Sequence, residues 1–259
     1  GADHSIIDHA SISWTIDEAF SSRGGKNLTL QRTLVSECLN VAGHANYPAG
    51  TAHGYAASIG GDVGSFHHNL LAHCEGRNFS LAGGLDANGY FAGRLDIFNN
   101  VVYNWGGRTT DGGSHEVNFV ANYYRPGPSS EVFHALKADY DEFPGTQQYY
   151  CAGNVMPGHF DEAGQDEACV QGYGEPQGYD PWVDDAWFPS YAVTESARDA
   201  FKIVLSDVGN TAPALDEHDR RVVTETLNGT TTYAGSVSGA PGLPDNEADV
   251  GGYEDYPSE

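Results

Sequence analysis

Ser65 to Asn78 reads S-F-H-H-N-L-L-A-H-C-E-G-R-N. Two short segments flank one asparagine, Asn69, and the stretch ends on an arginine, Arg77. Nearly the same cassette recurs on both sides. It appears as Ile6-Ile-Asp-His-Ala10-Ser-Ile-Ser-Trp14, then as Leu30-Gln-Arg-Thr33-Leu-Val-Ser-Glu37-Cys38. Downstream it returns as Ile97-Phe-Asn-Asn100-Val-Val-Tyr-Asn104-Trp105 and Asn118-Phe-Val-Ala-Asn122-Tyr-Tyr-Arg125. The corner positions 10, 33, 69, 100 and 122 are 23, 36, 31 and 22 residues apart. A constant cassette with variable spacing predicts a coiled β-solenoid, in which each rung pairs with its neighbours and insertions are confined to loops. Stacked corner Asn or Thr residues satisfy local backbone groups and tolerate left-handed conformations. An antiparallel sandwich is the competing architecture, but hairpin dipeptides between alternating strands are scarce. The expected fold class is therefore all-β, a parallel β-helix.

Cys38 and Cys74 each lie five residues beyond a corner, at equivalent places in consecutive units. Adjacent strands are about 4.8 Å apart, within the range of Cα separations that a disulfide accepts. The pattern predicts a Cys38–Cys74 bridge between rungs and a local Cys151–Cys169 bridge, with two buried, stacked thiols as the alternative for the first pair. An even cysteine set suits an oxidising, extracellular compartment.

The expected organisation is a set of rungs over 1–128, a loop-rich insert over 129–194, and C-terminal helices with an extended tail over 195–259. Apolar residues at helical spacing place helices over Glu195–Val208 and Asp216–Leu227. Nothing precedes Ile6 to cap the first rung, so an N-terminal fragment or second chain is expected to cover it. The chain has 259 residues, 36 acids against 12 Lys and Arg, and a formal charge of −24. That balance disfavours nucleic-acid binding, and no apolar run has the length of a membrane span. A polyanionic partner would need a bridging cation.

These cassettes resemble the pectate lyases of polysaccharide lyase family one, most closely a bacterial branch carrying I-I-D-H-x-S-I-S-W-x-x-D-E. Here that pattern is Ile6 through Asp17 and Glu18. Ser65 through His73, then Arg77-Asn78, is similar to the branch's S-x-H-H-N-L-L-A-H and the R-N-P-R that follows. The resemblance runs nearly end to end and is weakest around 130–190. It implies a right-handed parallel β-helix that cleaves an acidic polysaccharide, α-1,4-linked galacturonan, by Ca²⁺-assisted β-elimination. It also implies that Arg77 is the catalytic arginine and that Asp17 and Glu18 are metal ligands, with further rungs upstream contributing part of the metal site.

β-Elimination must acidify the proton α to the uronate carboxylate and then accept it. Ca²⁺ on that carboxylate acts as a Lewis acid and bridges an acidic protein to an acidic sugar. A guanidinium stays charged, so stabilising the enolate-like intermediate suits Arg77 better than a base role; a structural salt bridge is the alternative. Phe79 replaces the proline of R-N-P-R, and Ser80 and Ala82 stand where related lyases have arginines. The branch's lysine is absent from the loop His44–His53. Arg94, Arg108 and Arg125 are the cations available to substitute, with His44 and His53 as further substrate-binding candidates. Two other readings compete: a β-helix carbohydrate-binding protein with a decayed lyase site, and a β-helix glycoside hydrolase, which needs converging acids.

Overall fold

The structure is a computed structural model describing residues 1–172, 176 and 178–253. It is a parallel β-helix. The first rung holds β1 (Asp3–Asp8), β2 (Ser11–Ser13) and β3 (Phe20–Ser21), and the second β4 (Lys26–Gln31), β5 (Leu34–Ser36) and β6 (Ala57–Gly60). The third comprises β7 (Asp62–His67), β8 (Leu70–Ala72) and β9 (Ser80–Ala82). β10 (Arg94–Phe98), β11 (Val101–Tyr103) and β12 (Thr110–Gly113) form the fourth, and β13 (Glu116–Val120), β14 (Tyr123–Arg125) and β15 (Leu136–Ala138) the fifth. β16 (Gln148–Ala152) and β17 (Cys169–Gln171) continue it. All named strands pair in parallel, giving three sheets in the orders β1-β4-β7-β10-β13-β16, β2-β5-β8-β11-β14 and β3-β6-β9-β12-β15-β17. We call these sheets I, II and III.

Register converts the cassette into columns of like side chains. Leu30, Phe66, Ile97, Phe119 and Cys151 stack along sheet I, and Val35, Leu71, Val102 and Tyr124 along sheet II. Apart from Cys151, which packs against the core, they are all buried, each large aliphatic or aromatic contributing about 1.5–3 kcal/mol of transfer free energy.

The corners form a hydrogen-bonded ladder. Thr33 N–H donates to Asn69 Oδ1 (3.0 Å), Asn69 to Asn100 (3.1 Å), Asn100 to Asn122 (3.0 Å) and Asn122 to Asn154 (3.0 Å). Gln165 Oε1 ends the series on Asn154 N (3.0 Å). The left-handed residue is the one before each corner, not the corner itself: His9, Arg32, His68, Asn99 and Ala121 have φ between 45° and 56°. The asparagines serve as side-chain donors and acceptors while their predecessors make the bend.

The solenoid continues beyond residue 128, because β15 to β17 lie within the stretch read as insert. Low apolar periodicity hid them, since β15 and β17 have three residues each. α1 (Gln165–Ala168) is a single turn, whereas α2 (Ala197–Asp207) and α3 (Glu217–Asn228) are capped by the side chains of Ser196 and Asp216. Ala197, Val204 and Val222 pack with Leu34, Leu70, Val101 and Tyr103, so these helices cover sheet II. Residues 254–259 of the expected tail lie outside the described residues. Trp14, Trp105 and Tyr103 are core residues. Both disulfides, Cys38–Cys74 and Cys151–Cys169, are present.

Candidate functional site

With sheet II covered, chemistry concentrates where the chain crosses from sheet II to sheet III. Asp17 and Glu18 lie on the β2–β3 crossing, His44 and His53 on β5–β6, Arg77 on β8–β9 and Arg108 on β11–β12. Rungs repeat every ~4.8 Å, so these four consecutive loops are adjacent in space despite 91 residues of separation from Asp17 to Arg108.

Arg77, which is left-handed at φ 53°, aims its guanidinium at the acids of the first rung. Nη1 donates to Glu18 Oε1 and lies 3.8 Å from Asp17 Oδ1. The guanidinium also sits over the Tyr55 ring, 4.2 Å from its centroid, and Arg108 approaches the same ring at 5.4 Å. Arg108 is anchored by Asp111 through two 2.7 Å hydrogen bonds. One aromatic ring thus supports two guanidiniums, an arrangement stabilised by the ring quadrupole.

The two carboxylates have different environments. Burial would raise the pKa of Glu18, but the Ser58 hydroxyl (2.6 Å) and the charges of Arg77 and Arg23 outweigh it and hold it below the ordinary value. Asp17 is pushed up, by burial and then by the Glu18 charge, against weaker pulls from Arg77, His44 and His53. Its Oδ1 is buried and accepts no hydrogen bond. A cation at that oxygen would relieve both burial and repulsion. The donors therefore fit a hard divalent ion in kind, since Ca²⁺ takes carboxylate oxygens. Among the described residues no three His, Cys, Asp or Glu side chains converge as a closed metal cage.

His44 and His53 hold complementary tautomers. His44 Nδ1 accepts from Asn46 N–H (3.1 Å), which in the neutral ring leaves the proton on Nε2, 3.9 Å from Asp17 Oδ2. His53 Nδ1 bonds the Thr51 carbonyl (2.7 Å) and must donate, so its buried Nε2 carries an unshared lone pair. Tyr47 stacks on the His53 ring at 4.5 Å. Tyr47 and Tyr55 were not singled out from the sequence; the H-x-x-Y and H-x-Y spacings on this loop were the available signal.

Arg94 and Arg125 do not join the site. Arg94 opens β10 in sheet I and binds Asp62 through two 2.9 Å hydrogen bonds. Arg125 ends β14 over Phe201 of α2, at 5.7 Å. Of the three arginines expected to substitute for the missing ones, Arg108 alone stands beside Arg77, because it shares the same crossing one rung on. The acidic pair and Arg77 lie next to one another as the cassette predicts, and Phe79, in place of the motif's proline, is buried in the core.

No protein-family model matches the chain. Half of it is similar to proteins named probable pectate lyase C. The relative from Aspergillus terreus is 35% identical over 133 residues, covering 49% of this chain and 27% of its own length. Those from Neosartorya fischeri and Aspergillus fumigatus are 33% and 31% identical over 135 and 134 residues, with the same coverage of both chains. The matched segment is thus about a quarter of each pectate lyase relative, and all three are fungal proteins. No helix among the described residues is long and apolar enough to cross a membrane.

Proposed function

We propose that this chain carries the catalytic trough of a secreted polysaccharide lyase acting on a uronate polymer, pectate above all. The observation that carries the reading is the fixed Arg77 guanidinium reaching past one intervening rung to the Asp17–Glu18 pair. Charge complementarity supports it: an acidic protein can hold an acidic sugar where guanidiniums cluster, and here two share one aromatic support. The similarity to probable pectate lyases over half the chain supports the same substrate class, and two disulfides suit an extracellular setting.

Arg77 contacts the reacting unit and stabilises the negative charge that develops as the α-proton leaves, a role in which a preorganised cation has its largest effect. Arg108 orients a neighbouring uronate carboxylate. Tyr55 keeps both guanidiniums in place, and Ser58 and Arg23 keep Glu18 ionised and oriented toward Arg77. Asp17, with Glu18, would hold Ca²⁺ through its unshared oxygen; bound there, the ion acidifies the α-proton by polarising the uronate carboxylate. Tyr47 and His53 form a stacked wall beside this pair.

Incubation with polygalacturonate, followed by ultraviolet absorbance of the unsaturated product, tests the proposal. Elimination gives that chromophore. Hydrolysis gives reducing ends without it, and a binding protein gives neither.

A further inference from the structure

A second candidate hollow lies on another face of the protein. A cavity of about 370 Å³ opens on the outer face of sheet I, away from the sheet II–III crossings. Its size falls in the range of small-molecule sites. The floor is a polar row set by register: Thr29 pairs with Ser65, and Ser65 with Asp96, across β4, β7 and β10. These positions alternate with the buried Leu30, Phe66 and Ile97, so their side chains face outward.

One wall is aromatic. Phe188, Pro189 and Tyr191 come from the segment that precedes α2, and Tyr191 is 93% exposed. Asn118, buried at 1%, holds that segment from both sides: it accepts from Trp187 N–H (3.0 Å) and donates to the Phe188 carbonyl (2.9 Å). Asp96 is 4% exposed and faces the cavity from between Ser190 and Asn118. The wall is therefore fastened to the floor by buried polar groups. The charge on Arg94 is neutralised by Asp62, leaving two carboxylates against one guanidinium around the hollow. An anionic sugar would meet net negative charge here.

We infer that this cavity is a second carbohydrate-binding site, separate from the trough, which takes one or two neutral glycosyl units. A ring stacks on Tyr191 and Phe188, and its hydroxyls donate to Asp96 and exchange hydrogen bonds with Ser65 and Thr29. Carboxylates accept strong hydrogen bonds from hydroxyls, and an exposed aromatic supplies flat apolar area at low entropic cost. Such a site would keep the protein on a polymer whose neutral chains surround the uronate stretches. It does not depend on the lyase reading.

Native electrophoresis in gels cast with soluble galactan, arabinan or polygalacturonate tests it without turnover. The expected result is retardation by at least one neutral polymer, with the apparent dissociation constant rising at least tenfold in Tyr191→Ala and in Ser65→Leu. Mobility in polygalacturonate should be the same for the wild type and both variants. Tyr191→Ala removes a side chain exposed to solvent, so it keeps the test valid if Ser65→Leu misfolds. Absence of retardation by both neutral polymers, or equal retardation of wild type and Tyr191→Ala, overturns the inference. Lyase activity does not enter the readout, so failure of either proposal leaves the other standing.

Discussion

Asn100 Oδ1 accepts two hydrogen bonds from Asn69, one from its backbone N–H at 3.1 Å and one from its Nδ2 at 2.9 Å. Asn100 Nδ2 in turn donates to the Phe66 carbonyl at 2.8 Å and to Asn122 Oδ1 at 3.0 Å. One buried side chain thereby links three rungs. Asn100→Leu fills the space but leaves backbone donors and acceptors buried and unpaired, at about 1–3 kcal/mol for each group. We expect Asn100→Leu to destabilise the fold by at least ~3 kcal/mol in urea unfolding. A loss below 1 kcal/mol would show that the ladder does not hold the rungs.

His67 gives stability a pH dependence. Burial, and then the neighbouring His68 and Arg32, push its pKa down to about 4 from 6.5. The folded state therefore binds this proton less readily than the unfolded chain. Its contribution is complete above pH 6.5 and is lost as pH falls toward 4, by roughly 2–3 kcal/mol. Asp219, raised to about 6 by burial, works in the opposite sense, losing stability as pH rises from 3.8 to 6. The measurement is therefore a difference. Urea midpoints for wild type and His67→Phe, taken at pH 7 and pH 4.5, should show a smaller acid loss in the variant.

The Cys38–Cys74 bridge spans 36 residues. Chain entropy predicts up to about 4 kcal/mol from a loop of this size. The double variant Cys38→Ala/Cys74→Ala should unfold at correspondingly lower urea, and wild type under reducing conditions, which also open Cys151–Cys169, at lower urea still. Because the bridge joins the rungs that carry His44, His53 and Arg77, the variant should also lose activity at temperatures where it remains folded by circular dichroism.

Tyr55 matters for its ring. Tyr55→Leu removes the surface beneath Arg77 and Arg108, and with it ~1–2 kcal/mol of cation–π attraction, so kcat/KM on polygalacturonate should fall about tenfold. Tyr55→Phe keeps the face and should fall less than threefold. Equal losses in the two variants would assign the effect to the hydroxyl.

The architecture was legible because the cassette encodes register directly: a corner every rung fixes Leu30, Phe66 and Ile97 in one column, and places Cys38 over Cys74. Helices α2 and α3 were legible from apolar spacing, and the structure adds their Ser196 and Asp216 caps. The left-handed residue was misplaced by one position, since residues such as Ala121 have no side-chain preference for it and adopt it under the pressure of stacking. Strands β15 and β17 were missed because three-residue strands carry almost no period, and five-residue β16 reads Gln-Tyr-Tyr-Cys-Ala, without apolar alternation. At the site, Asp17, Glu18 and Arg77 followed from the motif. Tyr55 did not, because its value comes from the loop after β5 returning beneath Arg77, and loop paths leave no periodic trace. Arg94 and Arg125 were indistinguishable from Arg108 until the rungs assigned each to a face.

The central claim is that the trough around Arg77 breaks a uronate polymer by elimination. The most direct test is the rate of unsaturated-product absorbance on polygalacturonate for wild type, Arg77→Lys and Arg77→Ala, each with Ca²⁺ and with chelator. We predict a wild-type signal that chelator abolishes and added Ca²⁺ restores, with both variants reduced at least 100-fold while folded, as expected for loss of one preorganised charge-stabilising group. Reducing ends without the chromophore, no product from the wild type, or an Arg77→Ala rate equal to wild type would contradict it.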